Sequence, residues 1–432
     1  MKMNEKQSNV AKQHITPRII IHGGAGNLTK HSLPRDKYDA YQTSLRRILS
    51  SSSSLLSKPD STALDVATFA VSLLEDDALY NSGHGAVFTR EGKNELECSI
   101  MVSNGYRKRG IGCMMLQHVK NPIKLARELL IRGEQDGGDG SQDHCQYSGA
   151  FIEGLAEKWG LDMVDPSYFF TQQRWDEHLK GLEEEAKQKE AGIPINEMSD
   201  WEKANYIPLG TCGSVVLDRY GTICVATSTG GLTNKVGGRV GDTPTIGAGF
   251  WAEEWFEEAS VPKVQTHVPS TPLDKLSRGE VSTVLADCFP MLFLSPSNPS
   301  TCRSSIPTLD QPPPIRHAVG MSGTGNGDSF LRMDACRTAA AKSRFATIPL
   351  PDSVTWMAGP KGELQKSAGD RWHRSHEGTG GIIGVELVGS KSTVVWDFNC
   401  GGMFRAWVDD DGEHQCLIFR EGYHSGPESF AI

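Results

Sequence analysis

The chain has little of what would place it in a membrane, on nucleic acid or outside the cell. It has no apolar run of the roughly 20 residues that a helix needs to cross a bilayer. Its opening stretch, Met-Lys-Met-Asn-Glu-Lys-Gln-Ser-Asn-Val, has no apolar core of signal-peptide length, so a cytoplasmic location is expected. Its ten cysteines include no Cys-x-x-Cys pair, and in a reducing compartment they read as small core residues. Lys and Arg form no clustered stripe, so neither nucleic acid nor a membrane is an expected partner. A net charge of −9 bears on solubility rather than fold. What remains is a soluble globular composition, 38% hydrophobic and 22% charged over 432 residues, enough for one large domain or two ordinary ones.

The pattern along the chain alternates strand and helix signals. Residues 1–17 read as a flexible tail. Ile19-Ile-Ile21 is a buried-strand signal that breaks at Gly23-Gly24-Ala25-Gly26. Helical spacing is expected over 36–49, interrupted by the serine run 50–54, and again over 62–75, 122–132 and 147–159. Asn121-Pro122 reads as a cap followed by an N1 proline. Strands are expected at 96–102 and 111–116. Residues 176–209 are charged and poor in apolar residues, and read as a mobile linker. A hairpin follows, with strands 214–218 and 222–228 around Arg219-Tyr-Gly221. The Pro- and Ser-rich stretch 253–316 reads as an insertion. Then come a strand over 318–321, a Gly-rich break at 323–327, a helix from 329 to about 342, and a strand pair at 380–388 and 392–398.

The chemistry gathers in residues 207–249. Gly210-Thr211 opens the hairpin, and the turn near residue 220 brings Thr229 beside Thr211, either as an ordinary cross-strand pair or as a helper hydroxyl. A Thr hydroxyl needs a base, and no His-Asp pair lies nearby in sequence to make a Ser-His-Asp type triad. Cleavage of the Gly210–Thr211 bond would supply one, the new α-amine, with an intrinsic pKa of about 7.7–8.0. Arg239 and Asp242, set among glycines, offer a fork for an α-carboxylate and an acceptor for an α-ammonium, unless they form a plain loop ion pair. Gly323-Thr-Gly-Asn-Gly327 lacks the spacing of a nucleotide loop. It could instead turn Thr324 Oγ1 and the Gly325 N–H toward a developing oxyanion. His373 and His376 lack a third metal partner, and a solvated surface is the expected reading. No cofactor and no metal are expected.

At these residues the chain resembles the plant-type L-asparaginase / isoaspartyl peptidase family of N-terminal-nucleophile hydrolases. The likeness covers Ile21-His-Gly-Gly-Ala-Gly26, Asn81-Ser-Gly-His-Gly-Ala-Val-Phe-Thr-Arg90, Glu95-Leu-Glu-Cys-Ser-Ile-Met101, the block 210–249, Gly323–Asp328 and Phe398–Arg405. It implies an α+β fold, a four-layer αββα sandwich, made as a precursor that cleaves itself at Gly210-Thr211. The products would be an α chain (18–210) and a β chain (211–432), with two such units pairing as a homodimer. Thr211 would be the nucleophile and Thr229 its helper. Arg239 and Asp242 would grip the substrate, Thr324 and Gly325 would form the oxyanion hole, and Gly327 would line the pocket. The implied substrates are small: L-asparagine and β-aspartyl peptides. Met101-Val-Ser-Asn-Gly105 departs from the family's frequent Met-Asp-Gly, the 253–316 stretch is longer than usual, and Trp251-Ala-Glu253 looks more like the threonine aspartase branch. A taspase-like endopeptidase, a glycosylasparaginase and an uncleaved, catalytically silent binding protein remain as alternatives. Asp242 favours a substrate with a free α-amine.

Overall fold

The computed structural model describes residues 15–194, 197–199, 201, 202, 207, 210–257 and 314–423. Residues 1–14 of the expected 1–17 tail, most of the expected insertion and part of the expected linker lie outside the described residues. The chain divides into two units, residues 1–255 with 316–432, and residues 256–315; the packing and the site below belong to the first.

The fold is a mixed arrangement of sheets and helices. Its strands are β1 (Arg18–Gly26), β2 (Leu96–Val102), β3 (Gly110–Leu116), β4 (Gln146–Ser148), β5 (Cys212–Leu217), β6 (Ile223–Thr229), β7 (Phe250–Glu257), β8 (Ile315–Gly325), β9 (Gly380–Val388), β10 (Lys391–Phe398), β11 (Gly402–Val408) and β12 (His414–Leu417). Eight of them form one sheet in the order β12-β11-β1-β5-β6-β2-β3-β4, and four form another in the order β10-β9-β8-β7. The helices are α1 (Arg35–Leu56), α2 (Ala63–Glu75), α3 (Pro122–Arg132), α4 (Ala150–Lys158), α5 (Gln172–Glu190), α6 (Gly327–Met333), α7 (Ala335–Ala346), α8 (Leu350–Ala358) and α9 (Glu363–Ser367).

Period-2 alternation sorts the large sheet's side chains onto two faces. Ile19 and Ile21 of β1, Cys212 and Val216 of β5, and Cys224 and Ala226 of β6 join one apolar cluster with α1, α2 and α3. Their neighbours Ile20, Val215, Leu217, Ile223 and Val225 join a second cluster with β7–β9, α7 and α8. Gly320 of β8 is flush with that second face, where a Cβ would press on Ile223, Val225 and Val215. Burying each Ile, Val or Leu contributes about 1.5–3 kcal/mol, so the alternation strongly resists a register slip.

Several elements differ from the sequence expectation, each for a local reason. The first part of the expected linker belongs to α5, a 19-residue helix that starts at Gln172. Thr171 caps it by accepting from Arg174 N, and Lys180–Glu184, Glu183–Lys187 and Glu185–Lys189 ion pairs run along it. It is held by capping and i,i+4 pairing, not by an apolar stripe. The serine run does not interrupt α1, whose buried face continues through Ile48, Leu49, Ser52 and Leu56. β1 does not break at Gly23 but reaches Gly26 through an irregularity between His22 and Ala25. β8 likewise continues to Gly325. The expected 329–342 helix is two helices, broken at Asp334 with φ 45°. Pro122 starts α3 as expected, but the Asn121 side chain makes no cap; its Nδ2 bonds Asp76 Oδ1 at 3.0 Å.

Candidate active site

The β5–β6 hairpin sets the floor of the site. Asp218 ties its turn, with Oδ1 accepting from Tyr220 N and Thr222 N and Oδ2 from Ala63 N of α2. Cys212 pairs with Ser228, and on the next strand Glu97 pairs with Thr229. One residue before the Cys212–Ser228 pair, Thr211 therefore falls opposite Thr229. Thr211, Thr229 and Glu97 form a row across three neighbouring strands. They lie on the face of Val215 and Val225, the face the second sheet covers.

That row opens into a cavity of about 280 Å3. Its other walls include Ala25 and Gly26 of β1, Arg239, Asp242 and Thr243, Gly325 and Gly327 at the β8–α6 junction, and α5. His376, expected at a solvated surface, also lines it; His373 is exposed. Among the described residues no group of three His, Cys, Asp or Glu could hold a metal.

Gly210 sits in a nest of polar atoms. A Cβ there would overlap Thr324 Oγ1 and lie 3.1 Å from Gly325 N and 3.4 Å from Ala25 N, so a side chain at 210 would displace the polar groups beside the Gly210–Thr211 bond. Thr324 is fully buried, and its Oγ1 has no hydrogen-bond partner among the described residues. Gly325 has φ +141°, and a Cβ would collide with Gly380 Cα and Thr379 O. Only glycine presents its N–H here without strain. Asn326 then caps α6, accepting from Ser329 N at 3.0 Å.

Arg239 and Asp242 converge on Gly327, where a Cβ would be 2.5 Å from Asp242 Oδ1 and 3.0 Å from Arg239 Nη2. Neither is saturated: Arg239 Nε and Asp242 Oδ2 have no hydrogen-bond partner among the described residues, and Arg239 Nη2 lies 3.2 Å from Asp328 Oδ2. Burial pushes the Asp242 carboxyl up from 3.8 to about 7, against the pull of the Arg239 charge and with a push from Glu97. A cation delivered to Oδ2 would restore its ionised form.

The loop carrying these two residues is fixed from beneath and from the side. Buried Glu97 accepts from Gly241 N at 3.1 Å and pairs with buried Lys235 Nζ at 3.3 Å, while Glu95 accepts from Gly238 N at 2.9 Å. Asn81 bridges the segment after β6, donating from Nδ2 to Gly231 O and accepting at Oδ1 from Val87 N. α5 supplies the side support. Arg174 donates to Gly85 O at 3.1 Å and Leu79 O at 3.0 Å. His178 Nδ1 bonds Asn234 Oδ1, and Asn234 Nδ2 donates to His178 O at 3.0 Å. This holds Asn234 at φ 58°.

Two residues next to Thr211 were not singled out from sequence. Thr243 Oγ1 lies 2.7 Å from Thr211 Oγ1, whereas Thr229 Oγ1 accepts from Gly231 N at 3.0 Å. His22, on β1 opposite Gly213, is buried with Nε2 2.7 Å from Ser322 Oγ. Burial lowers its pKa to about 3, against a hydrogen bond to the Thr211 backbone, so the imidazole is neutral. His22 belongs to the Ile21–Gly26 motif; Thr243 had only its place after Asp242 as a signal. Trp251 and Glu253 do not line the cavity. Glu253 is buried between Arg344 at 2.6 Å and Lys108 at 3.3 Å.

A buried Thr211 hydroxyl, an unpartnered Thr324 hydroxyl near it and a charged pair with open valences are groups that can bind and react with a small polar molecule. The chain belongs to the asparaginase family, whose model, described as "Asparaginase", matches residues 15–261. It is 36% identical to the isoaspartyl peptidase of Escherichia coli, over 93% of this chain and 96% of that one. It is 29% identical to the isoaspartyl peptidase of Salmonella typhimurium, over 93% and 98%. With the isoaspartyl peptidase/L-asparaginase of Xenopus laevis it shares 32% identity over 55% of this chain and 67% of the other.

Proposed function

We propose that this chain is an autoprocessing N-terminal threonine hydrolase that cleaves the side-chain amide of L-asparagine and of β-aspartyl dipeptides. The observation that carries the reading is the convergence of Arg239 and Asp242 on Gly327, in the cavity that also holds Thr211. An open guanidinium and an open carboxylate match an α-carboxylate and an α-ammonium, which favours a small amino-acid substrate over a protein chain. The two apolar clusters support a four-layer αββα sandwich with the site between its sheets. The cleaved α and β chains form one cytoplasmic unit that pairs with a second copy.

In the precursor, Thr211 Oγ1 attacks the Gly210 carbonyl carbon. The Gly210–Thr211 C–N bond breaks, the hydroxyl proton passes to the departing nitrogen, and water hydrolyses the resulting ester. The freed α-amine then serves as base. It takes the Thr211 hydroxyl proton while Oγ1 attacks the side-chain amide carbon of a substrate held by Arg239 and Asp242. Thr324 Oγ1 and the Gly325 N–H receive the oxyanion, each donor being worth about 3 kcal/mol of barrier. Ammonia or the amino acid leaves with the proton, and water releases aspartate. Thr229, opposite Thr211 across the hairpin, supplies a further hydroxyl to the pocket.

Intact-mass analysis of the purified protein tests this. Two fragments, one starting at Thr211, and ammonia release from asparagine are expected, and Thr211→Ala should lose both. A stable full-length chain that leaves asparagine and β-aspartyl dipeptides intact would overturn the reading.

A further inference from the structure

The nucleophile needs a partner before its α-amine exists. In the intact chain the Thr211 nitrogen is an amide and cannot act as a base, yet Oγ1 must be aimed during autocleavage. The hydroxyl that touches it is Thr243 Oγ1, at 2.7 Å and buried.

Thr243 is held from three directions. Its own carbonyl accepts from Thr227 Oγ1 at 3.3 Å, and the Thr227 hydroxyl is in turn bonded to Ser99. The next carbonyl, of Pro244, accepts from Gln146 Nε2 at 3.1 Å and is packed so closely on Gly112 that a Cβ there would overlap it. On its other side, Asp242 O accepts from Thr245 N at 2.9 Å and Gly249 N at 3.2 Å. The residue is therefore a fixed post, rigidly joined to the Asp242 clamp.

We infer that Thr243 is a positioning residue for the Thr211 nucleophile in both reactions, autocleavage and amide hydrolysis. Its hydroxyl holds the Thr211 rotamer and donates to Thr211 Oγ1 as that oxygen gains negative character. It keeps its own proton throughout. One turn thus sets two distances at once, substrate to clamp through Asp242 and nucleophile to post through Thr243. This rests on the proposed hydrolase reading.

Thr243→Val removes the hydroxyl and keeps the shape, while Thr243→Ser keeps the hydroxyl. Autocleavage is followed by intact mass, and kcat and KM by ammonia release from asparagine, with a melting curve to check folding. Losing one hydrogen bond to a developing charge predicts about a 10- to 100-fold fall in the autocleavage rate and in kcat for the valine variant. KM should stay within about twofold, and serine should recover most of the rate. A folded valine variant that cleaves and turns over like the wild type overturns the inference. So does a serine variant as slow as valine, which would make the methyl group the active part. If valine does not fold, the serine variant decides: near-wild-type rates support the hydroxyl, and a fall of about tenfold or more refutes it. A wild-type protein that neither cleaves nor hydrolyses would instead overturn the hydrolase reading and remove the reaction that Thr243 serves.

Discussion

Asp242→Asn should make the protein more stable and nearly inactive. The Asp242 carboxyl is buried and held near pH 7 rather than 3.8, because burial outweighs the nearby Arg239 charge. A carboxyl whose pKa is raised in the folded state weakens folding as it ionises. The cost is absent below about pH 4, grows as pH rises and is complete above about pH 7. At 1.36 kcal/mol for each pH unit between the two values, ionisation costs about 4 kcal/mol by pH 8 and less than about 2 kcal/mol at pH 5. Asparagine does not pay it. With about 2.1 cal/mol/K of unfolding entropy per residue, a chain of this length gains about 5 °C in Tm at pH 8. Differential scanning calorimetry at pH 8 and pH 5 would show a large gain shrinking to a small one. The same change leaves an α-ammonium without its counter-charge in a buried site, so kcat/KM should fall roughly 100-fold or more. A variant no more stable than wild type at pH 8, or with the same gain at pH 5, would refute the account of Asp242 as a buried carboxyl whose ionisation costs stability. Such a trade is expected where a site must be ready for a ligand that is absent.

Gly210→Ala places a methyl on Thr324 Oγ1; intact mass should show a largely uncleaved chain, and normal cleavage would mean that the donors around Gly210 are not used. His178→Ala unties Asn234, and the loop leading to Arg239 should loosen; steady-state kinetics should show KM raised about tenfold with kcat less affected, while an unchanged KM would make the α5 contact idle. His22, with its pKa lowered to about 3, should show no imidazole titration by NMR between pH 5 and 8. Its contribution to stability is complete above about pH 6.5 and is lost as pH falls toward 3, the opposite sense to Asp242 over the same range.

Where local rules apply, the sequence was readable. The hairpin needed only its turn residues and two apolar runs, and its register brought Thr211 beside Thr229 over 18 residues of chain. The strands over 96–102 and the helix over 122–132 were readable for the same reason. The α5 helix was not, because its stability comes from Thr171 capping and Lys–Glu pairs, which a search for apolar periodicity reads as linker. β1 and β8 ran past their glycines because neighbouring strands supplied the pairing that a glycine-rich segment cannot secure alone.

The sequence by itself determined which residues could react and in what order they lie: a Gly-Thr bond, a second Thr one hairpin away, an Arg and an Asp among glycines, and a Gly-Thr-Gly turn. These are short-range facts, carried by residue type and spacing. Only the tertiary structure decided that Asp242 would lose its water and be held near pH 7, and that Gly327, 85 positions later, would bring Arg239 and Asp242 to one point. It also placed Thr243, rather than Thr229, against the Thr211 hydroxyl. Desolvation and convergence come from sheets and loops that meet across long stretches of chain, and no spacing in the sequence encodes a distance across a fold.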